Sequence, residues 1–393
     1  MKVGLHAVHG TLLTSLLHKL QLIKQLSQKV YPMLGALKKI NRLAYPQHLF
    51  YAPQWIILGV NNVCNLHCKM CDVGTKNTHS NFYDHMVGTQ PLNMPKELIF
   101  KIIDQIEQFF PSAKLGYAFT EPSVYPYLFE SLQYAQSKNI FTSITTNALQ
   151  LAKQADDLIN AGLNELCISL DGPPEIHNEI RGNKQSFEKA IAGIEKIYSN
   201  KNNKIKVSVF CAITQWNIGH LQNFLNHLKA FPLHQVGFMH TVFNTTEQAQ
   251  QHNKIYGNKY FATASNIDEI NFDAYNLPLL FQEMQHIQNQ SYHFNVQFQP
   301  KLSSLHELQN YYHHAHIKFG KLCTDAFNHL MIKSDGTVIP AHSRCYNINA
   351  GNIYHQSLKE IWNSNAVQTL RKDLLKAGGL FPSCTRCCSA YSK

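Results

Sequence analysis

From Pro53 onward the chain alternates short apolar runs with longer amphipathic stretches. The apolar runs, which are typical of buried strands, fall at residues 55–63, 114–119, 140–145, 165–170, 205–213 and 235–240. Helical patterns lie between and after them, at residues 95–109, 125–137, 151–161, 186–198 and 218–231. This alternation predicts an α/β fold of parallel βα units, arranged as a partial (β/α)6 TIM-like barrel. Active sites of such barrels lie at the carboxyl ends of the strands.

Beyond the sixth apolar run the pattern changes twice. Residues 244–271 are rich in Gln, Asn, Thr and His, which predicts a long loop or a mobile cover on the barrel, and residues 293–299 alternate as a half-buried strand does. After residue 318, apolar runs at 326–333 and 337–340 flank Ser334-Asp335-Gly336, which predicts a β-hairpin. A helix over 357–377 then leads to a cysteine-dense tail. We therefore expect a helical extension over residues 1–50, a barrel over 51–300 and a small β-hairpin and helix domain over 318–393, with the boundary in 300–318.

The first fifty residues are basic and contain no acid, since the first Asp or Glu of the chain is Asp72. Their basic residues are Lys2, Lys19, Lys24, Lys29, Lys38, Lys39 and Arg42. Leucines and other apolar residues recur between them at helical spacing, at Leu12, Leu13, Leu16, Leu20, Ile23 and Val30. This predicts a basic amphipathic helix that packs on its own protein; contact with an anionic bilayer is the second alternative and a mitochondrial presequence the third.

Composition narrows the class of protein. The chain has 393 residues, an apolar fraction of 44% and a formal charge of +10, and its Lys and Arg are spread out, which disfavours nucleic acid as a partner. It shows no apolar signal peptide with a cleavage site and no run of about eighteen apolar residues. We expect a cytoplasmic protein, with peripheral membrane contact through the amino-terminal helix as the alternative.

Three cysteines, Cys64, Cys68 and Cys71, follow the first predicted strand with the spacing C-x3-C-x2-C. Iron–sulfur cubanes are normally held by four thiolates, so a group of three leaves one iron open. A zinc site would need a fourth ligand, and His67 inside the loop is too constrained to supply it. Disulfides are disfavoured in a reduced compartment. The triplet therefore predicts a cluster with an open iron.

The triplet and its filler residues resemble the radical S-adenosylmethionine superfamily. The resemblance implies a [4Fe-4S] cluster whose open iron chelates the amino and carboxylate groups of S-adenosylmethionine. It also implies that one electron from the cluster splits the sulfonium, and that the 5′-deoxyadenosyl radical so formed abstracts a substrate hydrogen. A reducing partner such as flavodoxin or ferredoxin would supply the electron.

The second strand ends in Phe119-Thr120-Glu121-Pro122, where this superfamily usually has Gly-Gly-Glu-Pro. The resemblance implies that this edge accepts hydrogen bonds from the methionine ammonium. Glu121 and Pro122 match the family, whereas Phe119 and Thr120 replace its glycines. The alternative is that Glu121 is a surface loop residue before a helix.

The third and fourth strands end in further polar residues. Ser169-Leu-Asp171-Gly, followed by Arg181, resembles a stretch of the subgroup with SPASM or twitch extensions, which implies that Ser169 and Arg181 anchor the methionine carboxylate. The alternative is a simple turn at Asp171, with Arg181 as a solvated charge at a helix end. Thr146 and Asn147 end the third strand and could reach the ribose.

Five cysteines lie beyond the predicted barrel, Cys323, Cys345, Cys384, Cys387 and Cys388. The tail resembles a SPASM or twitch domain, which implies a second [4Fe-4S] cluster, with Cys323, Cys345, Cys384 and Cys387 as its ligands. The next family cysteine after Cys323 is expected at Ala341. We expect Cys345 to replace it; the alternatives are recruitment of His342, an open site or a degenerate cluster. Cys388 is the candidate hydrogen donor or a bystander.

These features predict a radical S-adenosylmethionine enzyme that oxidises or epimerises its substrate. An auxiliary cluster that accepts an electron favours oxidation, whereas epimerisation would need a thiol donor such as Cys388 or Cys345. The first fifty residues lack the strand signals of a peptide-binding winged helix, which favours a small molecule such as a sugar or aminocyclitol. A peptide-modifying maturase that forms cross-links or epimers is the alternative, and a non-catalytic iron–sulfur electron carrier or scaffold is the second.

Overall fold

The computed structural model describes residues 33–88, 90, 92–340, 346 and 348–391. Its contacts divide the chain into two compact units, Met1–Tyr51 and Ala52–Lys393. In the first unit residues 33–44 form helix α1, in which Met33, Leu37 and Ile40 are exposed. The leucine pattern predicted for residues 12–30 lies outside the described residues. Among the described residues, no helix is long and apolar enough to cross a membrane.

The second unit is built on one sheet of ten strands within the described residues. Seven strands run parallel side by side: β1 (Trp55–Leu58), β2 (Lys114–Tyr117), β3 (Thr142–Thr146), β4 (Glu165–Ser169), β5 (Lys206–Ile213), β6 (Gln235–His240) and β7 (Asn295–Gln299). The helices up to this point are α2 (Asn81–Val87), α3 (Lys96–Phe109), α4 (Leu128–Ser137), α5 (Leu151–Asn160), α6 (Pro174–Arg181), α7 (Ser186–Ser199), α8 (Leu221–Leu228), α9 (Thr246–Tyr256) and α10 (Leu277–Gln288).

The predicted α/β partial barrel is confirmed. All six strands predicted for the barrel form, and the strand predicted at 293–299 joins the same sheet as β7. The first strand is shorter than predicted, because it ends at Leu58 and residues 59–63 lead into the cysteine loop. Helices α3, α5 and α7 bury one apolar face each, as their periodicity predicts.

Two predictions of local structure were wrong. Residues 244–271 are not a continuous loop, since they contain α9, which begins with a capping box between Thr245 and Gln248. The helix predicted over 357–377 is two helices, α13 (Leu358–Trp362) and α14 (Asn365–Lys376). The chain breaks there because Ser364 has an extended backbone and begins the second helix.

The carboxyl-terminal segment completes the sheet. Helices α11 (Leu305–His313) and α12 (Asp325–Asn328) precede the strands β8 (His329–Ile332), β9 (Thr337–Ile339) and β10 (Gly351–Asn352). The predicted hairpin forms, because β8 and β9 pair antiparallel around a turn in which Gly336 has a φ of +79°. On its other edge β8 pairs parallel with β1. The sheet therefore continues across the predicted boundary at 300–318, which itself stays a prediction.

Candidate active site

The three cysteines of the triplet lie in a tight loop that follows β1. Cys68 is buried, while Cys64 and Cys71 are half-buried, and none of the three forms a disulfide. The Cys71 amide donates to the Cys68 carbonyl oxygen at 3.2 Å. Gly74 packs so closely on the Cys68 backbone that a Cβ there would collide with it. The loop thus fixes three free thiols at the carboxyl edge of the sheet.

The environment of these thiols fits a cationic iron–sulfur cluster. Burial raises the pKa of Cys64, and it raises the pKa of Cys68 to about 12, so without a cation these thiols are protonated. The thiolate of Cys71 also raises the pKa of Cys64 and of Cys68, and that of Cys64 raises the pKa of Cys68, which means that the three sulfurs are close enough to interact. In the part of the chain that the structure describes, no three His, Cys, Asp or Glu side chains form a site for a single metal ion. A cubane binds each cysteine through a different iron, so its ligands need not meet at one point.

Arg181 lies beside the cluster loop and is not a solvated charge at a helix end. Its side chain is 11% exposed, and its Nη1 lies 3.6 Å from the Cys68 Sγ. Its Nε donates to the Asp171 Oδ2 at 2.5 Å. Asp171 is held in turn, because its Oδ1 accepts from the Ala212 amide and its own amide donates to His177 Nδ1, both at 2.9 Å. The motif around Asp171 therefore orients a guanidinium toward the cysteine loop.

Burial, with the nearby Arg181 charge as a second cause, lowers the pKa of His177 well below its usual value. A neutral imidazole is what the Asp171 amide needs as an acceptor. His177 thus acts on the site through Asp171 and Arg181.

Glu121 is buried and is not a surface loop residue. Its Oε1 accepts from the Thr146 hydroxyl at 2.6 Å and from the Ser123 amide at 3.0 Å, and its Oε2 accepts from the Asn147 amide at 2.8 Å. A carboxylate offers about four acceptor positions, so about one remains, on Oε2. Pro122 begins the short 3-10 turn that follows. The carboxylate therefore ties the end of β2 to the end of β3.

The residues that replace the family glycines are accommodated in different ways. Phe119 has a φ of +86°, the region that glycine favours, and its ring packs with Phe82, Met86 and Met331. Thr120 donates from its hydroxyl to Asn61, with its Oγ1 at 2.6 Å from Oδ1 and 2.8 Å from the carbonyl oxygen. Phe119 therefore keeps a glycine-like backbone conformation, whereas Thr120 is held by its side chain.

Asn147 and Ser169 take different places at the sheet edge. The Asn147 Nδ2 donates to the Asn65 Oδ1 at 2.7 Å, which joins the end of β3 to the cysteine loop. Ser169 is the last residue of β4, in register with Phe210 of β5, and is half-buried. Sequence reasoning thus brought the ends of four strands to one edge. The structure adds a partner within the protein for Asn147, and its contact with the ribose stays a prediction.

Sequence reasoning missed Asp72, which directly follows the third cysteine. Its buried carboxylate accepts from the Ser265 hydroxyl at 2.5 Å and from the Asn266 amide at 2.8 Å. Asn266 has a φ of +57°, and its Nδ2 donates to the Val242 carbonyl oxygen at 2.9 Å. The available signal was that Asp72 is the first acid in the chain. These hydrogen bonds connect the segment after α9 to the cysteine loop.

The carboxyl-terminal cysteines form a second group. Cys323 and Cys384 are buried and Cys387 is half-buried; Cys384 and Cys387 raise the pKa of Cys323, and Cys387 raises that of Cys384. Cys384 and Cys387 line a small cavity of about 40 Å³, whereas Cys388 is not among the described residues that line it. Burial raises the pKa of Cys384 to about 11. These buried thiols fit a cluster site as the first group does.

The predicted fourth ligand, Cys345, lies outside the described residues, as do Ala341 and His342.

Arg386, between Cys384 and Cys387, organises the tail from a fully buried position. Its guanidinium donates to carbonyl oxygens of five residues at 2.6–3.3 Å, namely Asn310, Tyr311, His314, Ile317 and Thr385. Most of these carbonyls belong to the last turn of α11 and to the chain that follows it. Arg386 thus connects the cysteine tail to α11.

Comparison with known proteins agrees with this architecture. The model of the radical SAM superfamily matches residues 59–228, and that of the SPASM iron–sulfur cluster-binding domain matches residues 323–388. The chain therefore combines a radical SAM domain with a carboxyl-terminal SPASM domain. Such a protein binds a [4Fe-4S] cluster and S-adenosylmethionine in its first domain, and its second is an iron–sulfur cluster-binding domain.

Two curated relatives illustrate the range of this class. The chain is 24% identical over 189 residues to the Fe-coproporphyrin III synthase of Methanosarcina barkeri, covering 48% of this chain and 44% of the relative. It is 26% identical over 202 residues to the serine-type anaerobic sulfatase-maturating enzyme of Bacteroides thetaiotaomicron, covering 48% of this chain and 46% of the relative. The chain thus spans about half the length of the curated relatives that it matches.

Solved structures share the fold at low sequence identity. Streptococcus suis SuiB, bound to its precursor peptide SuiA, superposes with a TM-score of 0.59 at 16% identity, covering 90% of this chain and 75% of SuiB. The enzyme anSMEcpe with bound AdoMet superposes with a TM-score of 0.53 at 17% identity, covering 80% of this chain and 81% of that chain. At these identities the likeness establishes the fold alone.

Proposed function

We propose that this chain binds S-adenosylmethionine over the Cys64, Cys68 and Cys71 loop and uses it to abstract hydrogen from a substrate in a net two-electron oxidation. When bound, the cofactors supply hydrogen-atom abstraction at the first cluster and an acceptor for the substrate's remaining electron at the second. The chain's own residues orient the cofactor and the substrate.

The observation that carries this proposal is the guanidinium of Arg181, which lies 3.6 Å from the Cys68 Sγ while Asp171 holds it from the other side. A guanidinium suits planar binding of a carboxylate, and the methionine carboxylate must lie beside the open iron that these cysteines support. Ser169, the last residue of β4, is assigned to the same methionine carboxylate. A simple electron carrier would need no such group, which favours an enzyme over a scaffold.

The methionine ammonium is assigned to the edge formed by Thr120, Glu121 and Pro122. The Glu121 carboxylate has about one acceptor position left, and a cation beside a buried carboxylate is strongly favoured. Because Asn147 is bonded to Glu121 and Asn65, it orients this edge, and its contact with the ribose stays a prediction.

For the substrate, a small polyhydroxylated molecule such as a sugar or aminocyclitol is our first candidate. A cavity of about 640 Å³ opens between the start of α9 and the end of α11, a volume usual for small-ligand sites. Amide and carboxylate side chains of Gln248, Asn271 and Asp273 line it beside the rings of Phe272 and Tyr312. Such polar groups pair with hydroxyls, and aromatic faces pack on the apolar faces of sugar rings.

A peptide is the second candidate, because the cavity continues along α9. A second cavity of about 310 Å³ shares the lining residues Gln248 and Gln251 with the first. A third cavity of about 360 Å³ shares Ile255 and Tyr256 with the second. Eleven helical residues span about 16 Å, enough for about five residues of extended peptide. The sulfatase-maturating relative also favours this candidate.

Anaerobic reconstitution with iron and sulfide, followed by S-adenosylmethionine and dithionite, tests the activity. We expect 5′-deoxyadenosine by mass spectrometry from the wild type and none from Cys68→Ala. Arg181→Gln should raise the concentration of S-adenosylmethionine needed, while Lys69→Gln in the same loop should not. No product from a protein with a full cluster would refute the enzyme and favour the electron carrier.

Deuterium transfer distinguishes the two substrate classes. The enzyme is incubated separately with a perdeuterated mixture of sugars and cyclitols and with a perdeuterated peptide mixture, and label is sought in 5′-deoxyadenosine. We expect label from the first mixture; label from the peptides alone would favour a maturase. With unlabelled substrate in deuterated water, epimerisation through a Cys388 thiol would incorporate solvent deuterium into the product, and Cys388→Ala would abolish that incorporation.

Iron analysis tests the auxiliary cluster. About eight irons per chain imply two cubanes and about four imply one. Cys345→Ala should lower the count if Cys345 is the fourth ligand. Membrane contact of the amino-terminal helix stays a prediction, which flotation with anionic and with neutral vesicles would test.

A further inference from the structure

Tyr346 places its hydroxyl on one of the carboxyl-terminal cysteines. The Tyr346 Oη lies 3.2 Å from the Cys384 Sγ, and both residues are buried, at 5% and 7% exposure. Both also line the small cavity that Cys387 borders. The contact therefore belongs to the auxiliary cysteine group and is shielded from water.

The position of the phenol is fixed by the rings around it. His252 stacks on Tyr346 with ring centroids 4.9 Å apart and planes 10° from parallel, and Phe381 packs edge-on at 5.8 Å. His252 is anchored by its own Nε2, which lies 2.6 Å from the Tyr260 carbonyl oxygen. The hydroxyl thus cannot leave the sulfur without disturbing a packed aromatic group.

The direction of the hydrogen bond follows from the chemistry of a ligating cysteine. A thiolate bound to iron has no proton and can only accept, so the phenol must donate. Hydrogen bonds to cluster sulfurs stabilise the more negative, reduced cluster and are stronger in a buried site.

We propose that Tyr346 donates a hydrogen bond to the cluster-bound sulfur of Cys384 and thereby raises the reduction potential of the auxiliary cluster. This inference rests on the proposed function, in which that cluster accepts an electron from the substrate. A higher potential makes it a better acceptor, so Tyr346 biases the reaction toward oxidation. Tyr346 touches a ligand of the cluster and is a positioning residue.

The test is a potentiometric titration followed by electron paramagnetic resonance. The full-length chain with Cys64, Cys68 and Cys71 changed to Ala retains only the auxiliary site, so the signal has one source. We expect Tyr346→Phe to make the midpoint potential more negative at unchanged iron content. Tyr260→Phe is the matched control, because Tyr260 belongs to the same aromatic group but its hydroxyl bonds to Asp373, and it should leave the potential unchanged.

Fluorinated tyrosine at position 346 gives a second measurement that does not remove the side chain. Its more acidic phenol is a stronger donor, so the potential should rise with the number of fluorines. A potential that stays constant across this series, or a Cys384→Ala chain with unchanged iron, would overturn the inference. Either result leaves 5′-deoxyadenosine formation unaffected, and so is distinguishable from a failure of the proposed function.

Discussion

Replacement of Asp171 by Asn should be among the most damaging single changes near the cluster loop. The Arg181 and Asp171 side chains are 11% and 1% exposed, and their charged atoms are 2.5 Å apart. At an effective dielectric constant of about 20, the gross attraction at that distance is about 7 kcal/mol. Desolvation offsets much of it, but removing one partner leaves a buried guanidinium without its carboxylate. We expect a loss of about 3–5 kcal/mol in the free energy of unfolding.

The assay is anaerobic urea unfolding of the reconstituted protein, followed by tryptophan fluorescence. Glu179→Gln is the matched control, because it breaks the exposed pair between Glu179 and Lys69, 2.7 Å apart, which also joins α6 to the cluster loop. That change should cost at most about 1 kcal/mol. A double variant, Asp171→Leu with Arg181→Met, should regain part of the stability because no charge is left buried. Equal losses for Asp171→Asn and Glu179→Gln would refute the reasoning.

Three further changes have defined outcomes. Burial lowers the pKa of His240 to about 3 from 6.5, so the unfolded chain takes up a proton first as the pH falls. Lowering the pH from 7.5 to 5.5 should therefore reduce the free energy of unfolding by about 1.4 kcal/mol through this group. His240→Gln should lose that part of the pH dependence in unfolding titrations. Arg386→Lys should cost at least about 2 kcal/mol, since an ammonium cannot satisfy five carbonyl oxygens; a loss below about 0.5 kcal/mol in the same titrations would contradict this role. At Phe119, whose φ is +86°, Gly should be more stable than Ala by about 1 kcal/mol in urea unfolding, whereas Ala118→Gly should destabilise; Ala equal to Gly at 119 would contradict the backbone argument.

Much of the fold could be predicted because its signals are local. The strands are short apolar runs rich in β-branched residues, and helices α5 and α7 each have a clear apolar face. The sequence pattern alone therefore predicts these elements. Helix α9 could not be found in that way. It is built mostly from polar residues, among them Gln, Asn and His, and it forms because its first turn is capped and because it packs beside the cysteine tail.

The location of the candidate site could be predicted from the sequence, but the contacts among its residues could not. The spacing of the cysteines and the position of Arg181 indicated a cofactor site, because these residues follow strands whose ends meet at one edge. No local pattern reveals that Asp72 pairs with Asn266, 194 residues later in the chain, or that Phe119 adopts a positive φ. Such contacts depend on the tertiary arrangement, which a single sequence does not display.

The pairing of β8 with β1 has a consequence for any attempt to isolate the barrel. Residues His329–Ile332 cover the edge of the strand that leads into the cysteine loop. A fragment that stops at residue 300 would leave the amides and carbonyls of Trp55–Leu58 open on that side, and an uncovered apolar strand edge readily pairs with another copy. We expect such a fragment to aggregate rather than to yield a minimal catalytic domain. By covering the edge of β1, the SPASM segment thus prevents pairing with another copy of the chain, apart from any role of its metal in the reaction.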